Sequence, residues 1–410
     1  MAGRAVVTGI GVIAPNGLGL EEYWSATLRG ETGIRPIRRF DPATYPVRLA
    51  GEVTGFEPKD HLPSRLIPQT DRMTQFAVAA ADWALADAGA DPAGLDPRAV
   101  GVATASASGG FDFGQRELQK LWGQGPGHVS AYMSFAWFYA VNTGQISIRH
   151  DLRGPAAALV SEQAGGLDAV AHARRGVRRG APLMITGGMD SALSPYGLAA
   201  LIASGRLSGR DEPARAYVPF AEDACGHLPG EGGAILVLED AARAAERGAR
   251  VYGEIAGYAA TFDPPPASGR GSNLRRAIEG ALADAGAAPD EIGVVFADAA
   301  ADPELDRAEA DALAAVFGPR GVPVTAPKTL TGRLYSGAAP LDLALAFKAL
   351  GEGLIPPAGG GPAAARYGVD LVTGAPRPLT RSAALVLARG FGGFNSAMVV
   401  RSDRAREGER

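Results

Sequence analysis

The chain has 410 residues, 46% of them hydrophobic and 20% charged, with a formal net charge of −4. That suits a globular protein of roughly two or three core units. It excludes nucleic acid as a partner, because 40 Lys+Arg nearly balance 44 Asp+Glu and no basic stripe stands out. One cysteine, Cys225, leaves no internal disulfide, and with five histidines the ligands are too few for a zinc site. No metal and no cofactor are expected. The N-terminal MAGRAVVTGIGV runs directly into a strand pattern without a basic and apolar leader. No stretch of about 18 apolar residues follows anywhere, so a cytoplasmic chain with no membrane contact is expected.

In chain order, RAVVTGIGV (4–12) reads as a strand and EEYWSATLRG (21–30) as a short helix closed by Gly30. Residues 71–88 place Met73, Phe76, Ala80 and Trp83 on one helical face, with Gly89 as the stop. VGVATASAS (100–108) is an apolar strand of the kind covered by helices on both faces. GGFDFGQRELQKLW (109–122) is helical, with Phe111, Gly114, Leu118 and Leu121 at spacings of three and four. SAYMSFAWFYAVNTGQISIRH (130–150) is the most aromatic stretch, holding Tyr132, Phe135, Trp137, Phe138 and Tyr139. RHDLR (149–153) and HARRGVRRG (172–180) read as a solvated helix face and its C-terminal turn.

The second part of the chain repeats this plan. VYGEIAGYAATFD (251–263) matches the opening strand, SNLRRAIEGALADAGA (272–287) the helix ending in ADAGA, and IGVVFADAAAD (292–302) the strand VGVATASAS. GAILVLEDA (233–241) matches SAALVLARG (382–390). Two similar halves, 1–250 and 251–410, are therefore expected. FDPPPASGRG (262–271) and IPPAGGGPAAARYG (355–368) read as surface loops, and RSDRAREGER as a charged tail.

The stretch VSEQAGGLDAV (160–170) has a small-residue elbow opening a helix, a place where free N–H groups and the helix dipole stabilise negative charge. Its elbow residue, Gln163, has no nucleophilic lone pair to offer. Together with PFAEDACGHLPGEGGAILVLED (219–240), ADPELDRAEADAL (301–313), PKTLTGRLYSGAA (327–339) and ARGFGGFN (388–395), the elbow resembles the β-ketoacyl synthases. The resemblance spans essentially the whole chain and implies the thiolase fold, α/β with duplicated halves in α/β/α/β/α layers.

Condensing members of that family use a Cys at the elbow and two His from the C-terminal half. By motif position Gln163 stands for the Cys, Asp298 for the first His and Arg333 for the second. The five histidines are His61, His128, His150, His172 and His227, so none lies in the second half. An ion pair between Asp298 and Arg333 filling the unused pocket is one expectation. Lys328, Asp306 and Glu309 are retained; in the family the Lys and Glu brace the site floor, and a fold-holding salt bridge serves equally as a reading. Phe391, Gly392 and Gly393 form a turn that in active members offers a backbone N–H to the oxyanion. The bland readings make Cys225 a loop thiol, His128 and His150 interface or surface groups, His172 part of a basic helix face, and His227 a loop residue.

The set of losses resembles the chain length factors, second ketosynthase subunits of bacterial type II polyketide synthases. That resemblance implies no catalysis by this chain alone. It implies a heterodimer with a Cys-bearing ketosynthase, and an acyl carrier protein that presents malonyl and polyketide groups. Gln163 then has two readings: a plug whose amide oxygen accepts from the helix N–H groups, or a malonyl-carrier-protein decarboxylase that makes starter units. The resemblance also assigns Phe111, Gly114, Leu118 and Leu121 to the product tunnel, where ordinary core packing is the alternative. Trp122, Phe135, Trp137, Phe138 and Tyr139 are assigned to the subunit interface, beside a strand pairing across the two-fold axis. Met189, Asp190 and Tyr196 are expected to close the tunnel's far side.

Overall fold

Strand β1 (Ala5–Ala14) is buried along its whole length and lies in the middle of one large mixed sheet. The computed structural model describes residues 3–402; most of the charged tail, 403–410, lies outside the described residues. Helix α1 (Leu20–Leu28) stops because Gly30, at φ 68°, turns the chain so that Gly30 and Glu31 N–H donate back to Thr27 and Ala26 carbonyls. Helix α2 (Arg72–Ala88) starts at Asp71, whose Oδ1 accepts from Met73 N–H at 2.9 Å, and ends at Gly89 in the left-handed region. Its expected inner face is buried at Met73, Phe76 and Ala80 and half-buried at Trp83.

The first half continues through β2 (Gly101–Ala105), helices α3 (Phe111–Gln124) and α4 (Val141–Arg149), β3 (Ala156–Leu159), helix α5 (Gly165–Arg178), β4 (Leu183–Asp190), helix α6 (Pro195–Ile202) and β5 (Gly232–Asp240). Its strands lie in the order β1-β5-β4-β2-β3, antiparallel at both edges of β5 and parallel thereafter. The second half runs through β6 (Gly253–Phe262), α7 (Leu274–Ala285), β7 (Ile292–Phe296), α8 (Pro303–Phe317), β8 (Pro323–Thr325), α9 (Ala338–Glu352), β9 (Ala383–Gly390) and β10 (Phe394–Arg401). Its order, β6-β10-β9-β7-β8, has the same directions at the same places. The two runs of strands join where Val6 and Val7 pair with Glu254 and Gly253.

Helices α5 and α9 form the middle layer. α9 is buried at every position from Ala338 to Leu350, its two charges there, Asp342 and Lys348, both being ion-paired, and it shares one core with α5 and with strands of both halves. α2 covers the outer face of the first half, and α7 and α8 that of the second. This is the layered α/β/α/β/α arrangement that the resemblance implies. Among the described residues no helix is long and apolar enough to cross a membrane.

Three expectations need correction. The strand expected over 100–108 stops at Ala105, and that over 292–302 stops at Phe296. In each case a buried carboxylate takes the next backbone N–H groups: Asp190 accepts from Ala107 and Ser108, and Glu309 from Asp298 and Ala299. The stretch 355–368 is only in part a surface loop, because Ile355–Ala358 is buried and Pro356 O accepts from Thr325 Oγ1 at 2.6 Å.

The repeat extends to how helices meet strands. A Cβ on Gly11 would sit 2.0 Å from Ala80 O, and one on Gly257 would sit 2.2 Å from Ala281 O. In both halves the glycine lets the outer helix touch the strand backbone. Gly11→Ala should therefore destabilise the fold by about 1–3 kcal/mol through overpacking. A denaturant midpoint equal to wild type would show that α2 can retreat at no cost.

Candidate functional site

The N-termini of α5 and α9 face each other in the middle layer. A Cβ on Gly166 would fall 2.4 Å from Pro340 Cδ and 2.5 Å from Ser336 O, which explains the small residues of the AGG elbow. Glu162 takes φ 50° at the elbow, and its carbonyl accepts from Ser336 Oγ at 2.8 Å. This contact sets Gln163 at the buried bottom of the site, 1% exposed.

Gln163 Nε2 donates to Asp298 Oδ1 at 2.5 Å, while its Oε1 has no hydrogen-bond partner. The amide is thus reversed relative to expectation: its N–H meets a carboxylate, and its oxygen does not cap the helix. Asp298 sits opposite because β7 has ended and Glu309 holds the loop by accepting from Asp298 N–H at 2.7 Å and Ala299 N–H at 2.8 Å. Arg333 Nη2 donates to Asp298 Oδ1 at 3.1 Å and Oδ2 at 3.2 Å, the ion pair expected between these two side chains. Arg333 also donates to Arg389 O, and Arg389 N–H donates to Asp298 Oδ1 at 2.7 Å. Burial alone would lower the Arg333 guanidinium, but Asp298 and Glu162 outweigh it and hold it above its ordinary value.

The glycine turn after β9 is engaged as well. Phe391 N–H donates to Glu162 Oε2 at 2.7 Å, so a carboxylate from the elbow occupies this backbone donor of the turn. Acyl transfer needs a nucleophile, a proton-transfer group and free donors for the oxyanion. Gln163 is no nucleophile, Asp298 and Arg333 bind each other, and Phe391 N–H is taken.

The retained residues brace the site separately. Lys328 and Glu309 do not meet; Lys328 Nζ pairs with Asp342 on α9 at 2.7 Å, both buried, and donates to Ala297 O. Asp306 accepts from Phe220 N–H at 2.7 Å and Ala301 N–H at 3.0 Å, and burial pushes its carboxyl up to about 8. Nothing in the motif spacing marked Asp342 as the partner of Lys328.

A cavity of about 240 Å³ adjoins Arg333 and reaches Phe111 at the start of α3. Of the four expected tunnel residues only Phe111 lines it, its ring 5.2 Å from that of the half-exposed Tyr196. Gly114 is buried instead against α3's neighbouring segment, where a Cβ would lie 3.6 Å from Trp137 Cβ, and Leu118 and Leu121 are half-buried outside the cavity. Met189 and Asp190 do not close its far side. Met189 is core, and Asp190 accepts from Ser106 Oγ at 2.7 Å and from Ala107 and Ser336 N–H. Burial pushes Asp190 up to about 6.

His227, read from the sequence as a plain loop residue, lines this cavity between Tyr217 and Tyr335, with Arg333 on the same wall. Burial first, and then the Arg333 charge, hold its imidazole well below the ordinary range. Its placement comes from the loop 228–230, which Arg333 anchors through its own N–H and carbonyl. Only that three-dimensional return could have revealed it.

The five expected interface aromatics cluster on one side. Trp122 is 77% exposed, Trp137, Phe138 and Tyr139 are exposed, and Phe135 is half-buried. Ile148 on α4 is 74% exposed beside them, and β3, at the end of the sheet, has an unpaired edge. His150 on this side lies 3.1 Å from Asp82, and Cys225 is an exposed loop thiol.

Residues 3–244 match the β-ketoacyl synthase N-terminal domain and residues 252–360 the C-terminal domain. The chain belongs to the β-ketoacyl synthase family. Within it the chain stands with the ketosynthase β subunits, the chain length factors of type II polyketide synthases. It is 60% identical over 398 residues to the actinorhodin polyketide putative β-ketoacyl synthase 2 of Streptomyces coelicolor, covering 97% of this chain and 98% of that protein. It is 59% identical to the tetracenomycin polyketide synthase ketoacyl synthase β subunit of Streptomyces glaucescens, with the same coverage. The structure of the ishigamide ketosynthase/chain length factor superposes with a TM-score of 0.88 at 28% identity, covering 98% of this chain and 100% of that chain. A type II acyl-carrier protein in complex with its hexaketide-bound ketosynthase gives 0.87 at 25% identity, over 98% of this chain and 100% of that one.

His227 predicts a pH dependence. The native state favours the neutral imidazole, whereas the unfolded chain takes up a proton near pH 6.5. Stability is therefore fully present above pH 6.5 and falls as the pH drops below it, by at most about 1.4 kcal/mol per pH unit for this one group. His227→Gln should flatten the loss between pH 6.5 and 5 in urea titrations. Parallel curves for variant and wild type would show that the native imidazole protonates freely.

Proposed function

We propose that this chain is the non-catalytic chain length factor of a minimal type II polyketide synthase. It pairs one-to-one with a Cys-bearing ketosynthase, receives no acyl group itself, and shapes the tunnel in which its partner elongates chains delivered by an acyl carrier protein in the cytoplasm. Its two halves, 1–250 and 251–410, carry separate duties: the first supplies the elbow, tunnel helix and interface, and the second closes the site. The observation that carries this reading is a site with every catalytic position tied to another, next to a solvent-exposed aromatic face at an open sheet edge. An aromatic patch of this kind fits a large, permanent subunit contact.

The decarboxylase reading of Gln163 needs an amide free to support a developing carbanion. Its N–H is committed to Asp298, and that favours the plug. Gln163→Cys should not revive condensation, because Asp298 and Arg333 still replace the imidazoles and Glu162 still holds Phe391 N–H. Loss of one oxyanion donor alone leaves acylation about 10²–10³-fold slow. Acyl-enzyme formation at the partner's rate, followed by mass spectrometry, would overturn this account.

The tunnel role is tested at Gly114. Gly114→Phe must push against Trp137 and Met133, so the reconstituted pair should release polyketides shorter by one or more extender units. Native mass spectrometry must first show the one-to-one complex intact. Unchanged product length in an intact complex rejects the tunnel assignment, and failure of the wild-type chain to bind a ketosynthase rejects the function.

A further inference from the structure

We propose that Asp71 is a positioning residue for chain length: it caps α3 from outside that helix and so fixes where Phe111 stands. This rests on the tunnel reading above. Helix α3 has no side-chain cap of its own. Its N-cap position is Gly110, which has nothing to accept from the free N–H groups of the first turn. No larger residue could supply one, because a Cβ on Gly110 would lie 2.2 Å from Ala136 O and 2.7 Å from Asp71 Cβ. Gly110 N–H itself donates to Trp137 O at 3.0 Å.

Asp71, buried and 42 residues away from Phe113, fills the gap. Its two oxygens are divided between two helices. Oδ1 accepts from Met73 N–H at 2.9 Å in the first turn of α2, and Oδ2 from Phe113 N–H at 2.8 Å in the first turn of α3. Phe113 is the third residue of α3, whose N–H an N-cap side chain ordinarily takes. Phe111, two residues earlier, is the expected tunnel residue that lines the cavity. Gln115 Oε1 accepts from Tyr196 N–H at 2.7 Å, so the same part of α3 also holds the start of α6. A shift at Phe113 is therefore passed to both rings of the Phe111–Tyr196 pair.

Only an ionised carboxylate can cap both helices. An amide or a protonated acid has one good acceptor oxygen and a donor in place of the other, and a donor facing Phe113 N–H is repelled by it. Burial pushes the Asp71 carboxyl up to about 6; the two N–H bonds and Arg39 oppose that rise, and Asp112 on α3 adds to it. The other charges near it are paired: Arg39 with Asp112 at 3.4 Å and with Glu231 at 3.0 Å, and Arg72 with Glu231 at 3.1 Å. The cap on α3 is thus complete well above pH 6 and is lost as the pH falls through about 6.

The test uses the pair reconstituted with a ketosynthase. Asn and Ser serve almost as well as Asp at a helix's own N-cap, so Asp71→Asn and Asp71→Ser keep α2 capped and remove the bond to Phe113. At about pH 7.5, hydrogen exchange read by mass spectrometry should show the 110–118 segment roughly tenfold less protected in either variant, as for loss of a hydrogen bond to a charged acceptor, with 72–80 unchanged. Wild type, corrected for intrinsic exchange, should lose the same protection between about pH 7 and pH 5, and Asp71→Asn should stay flat there. The wild-type series needs no substitution and stands if neither variant folds. Products of the variant pair should spread over more chain lengths than those of wild type, and wild type should spread likewise at the acid end. A merely structural Asp71 would lower the yield of complex and leave the product pattern alone. Phe111→Ala separates the two readings. Unchanged protection of 110–118, or lost protection with wild-type product lengths while Phe111→Ala alters them, overturns this assignment and leaves the tunnel reading standing. Wild-type lengths from Phe111→Ala as well, in an intact complex, bring down the tunnel reading and this assignment with it.

Discussion

The site depends on one buried carboxylate. Asp298 accepts from the Gln163 amide, the Arg333 guanidinium and the Arg389 backbone, and so ties the elbow, the 327–339 loop and the end of β9 to a single point. Arg333 passes the constraint on to the 228–230 loop through backbone hydrogen bonds. A buried ion pair adds little net stability over an apolar equivalent, but a half of it alone is costly, about 3–5 kcal/mol. Asp298 and Arg333 are therefore locked together: replacing either alone leaves the other as a buried unpaired charge, while Gln163 adds a further donor to the same carboxylate.

The same device recurs in the frame. In the first half Asp190 ends β2 by accepting the following N–H groups, and in the second half Glu309 does so after β7. Five strands correspond in order and direction between the halves, yet the carboxylate comes from the end of a neighbouring strand in one half and from a helix in the other. The end of the strand is under constraint, and the source of the acceptor is not.

Much of the fold was legible because it is local. Alternation of apolar strands with helices closed by Gly30 and Gly89 gave the elements, and paired order gave the duplication. The resemblance of motifs gave Gln163, Asp298 and Arg333 as neighbours although they lie far apart in the chain. What stayed hidden is what only long-range contact decides. Glu162 reaches Phe391 across more than half of the sequence, Lys328 finds Asp342 and not Glu309, and His227 is carried into the cavity wall by a loop with no marking pattern. Strand ends were overread for a related reason: apolar composition continues past Ala105 and Phe296, and only the buried acceptors stop the ladder.

The open edge of β3 has a consequence for an unpaired copy. A copy that is made and left alone holds Ala156–Leu159 with its outer edge unpaired, and Trp122 and Ile148 in water, which is a template for aggregation and a handle for quality control. Covering that edge hides the template, so a paired copy is protected from edge-to-edge association where a lone copy is not.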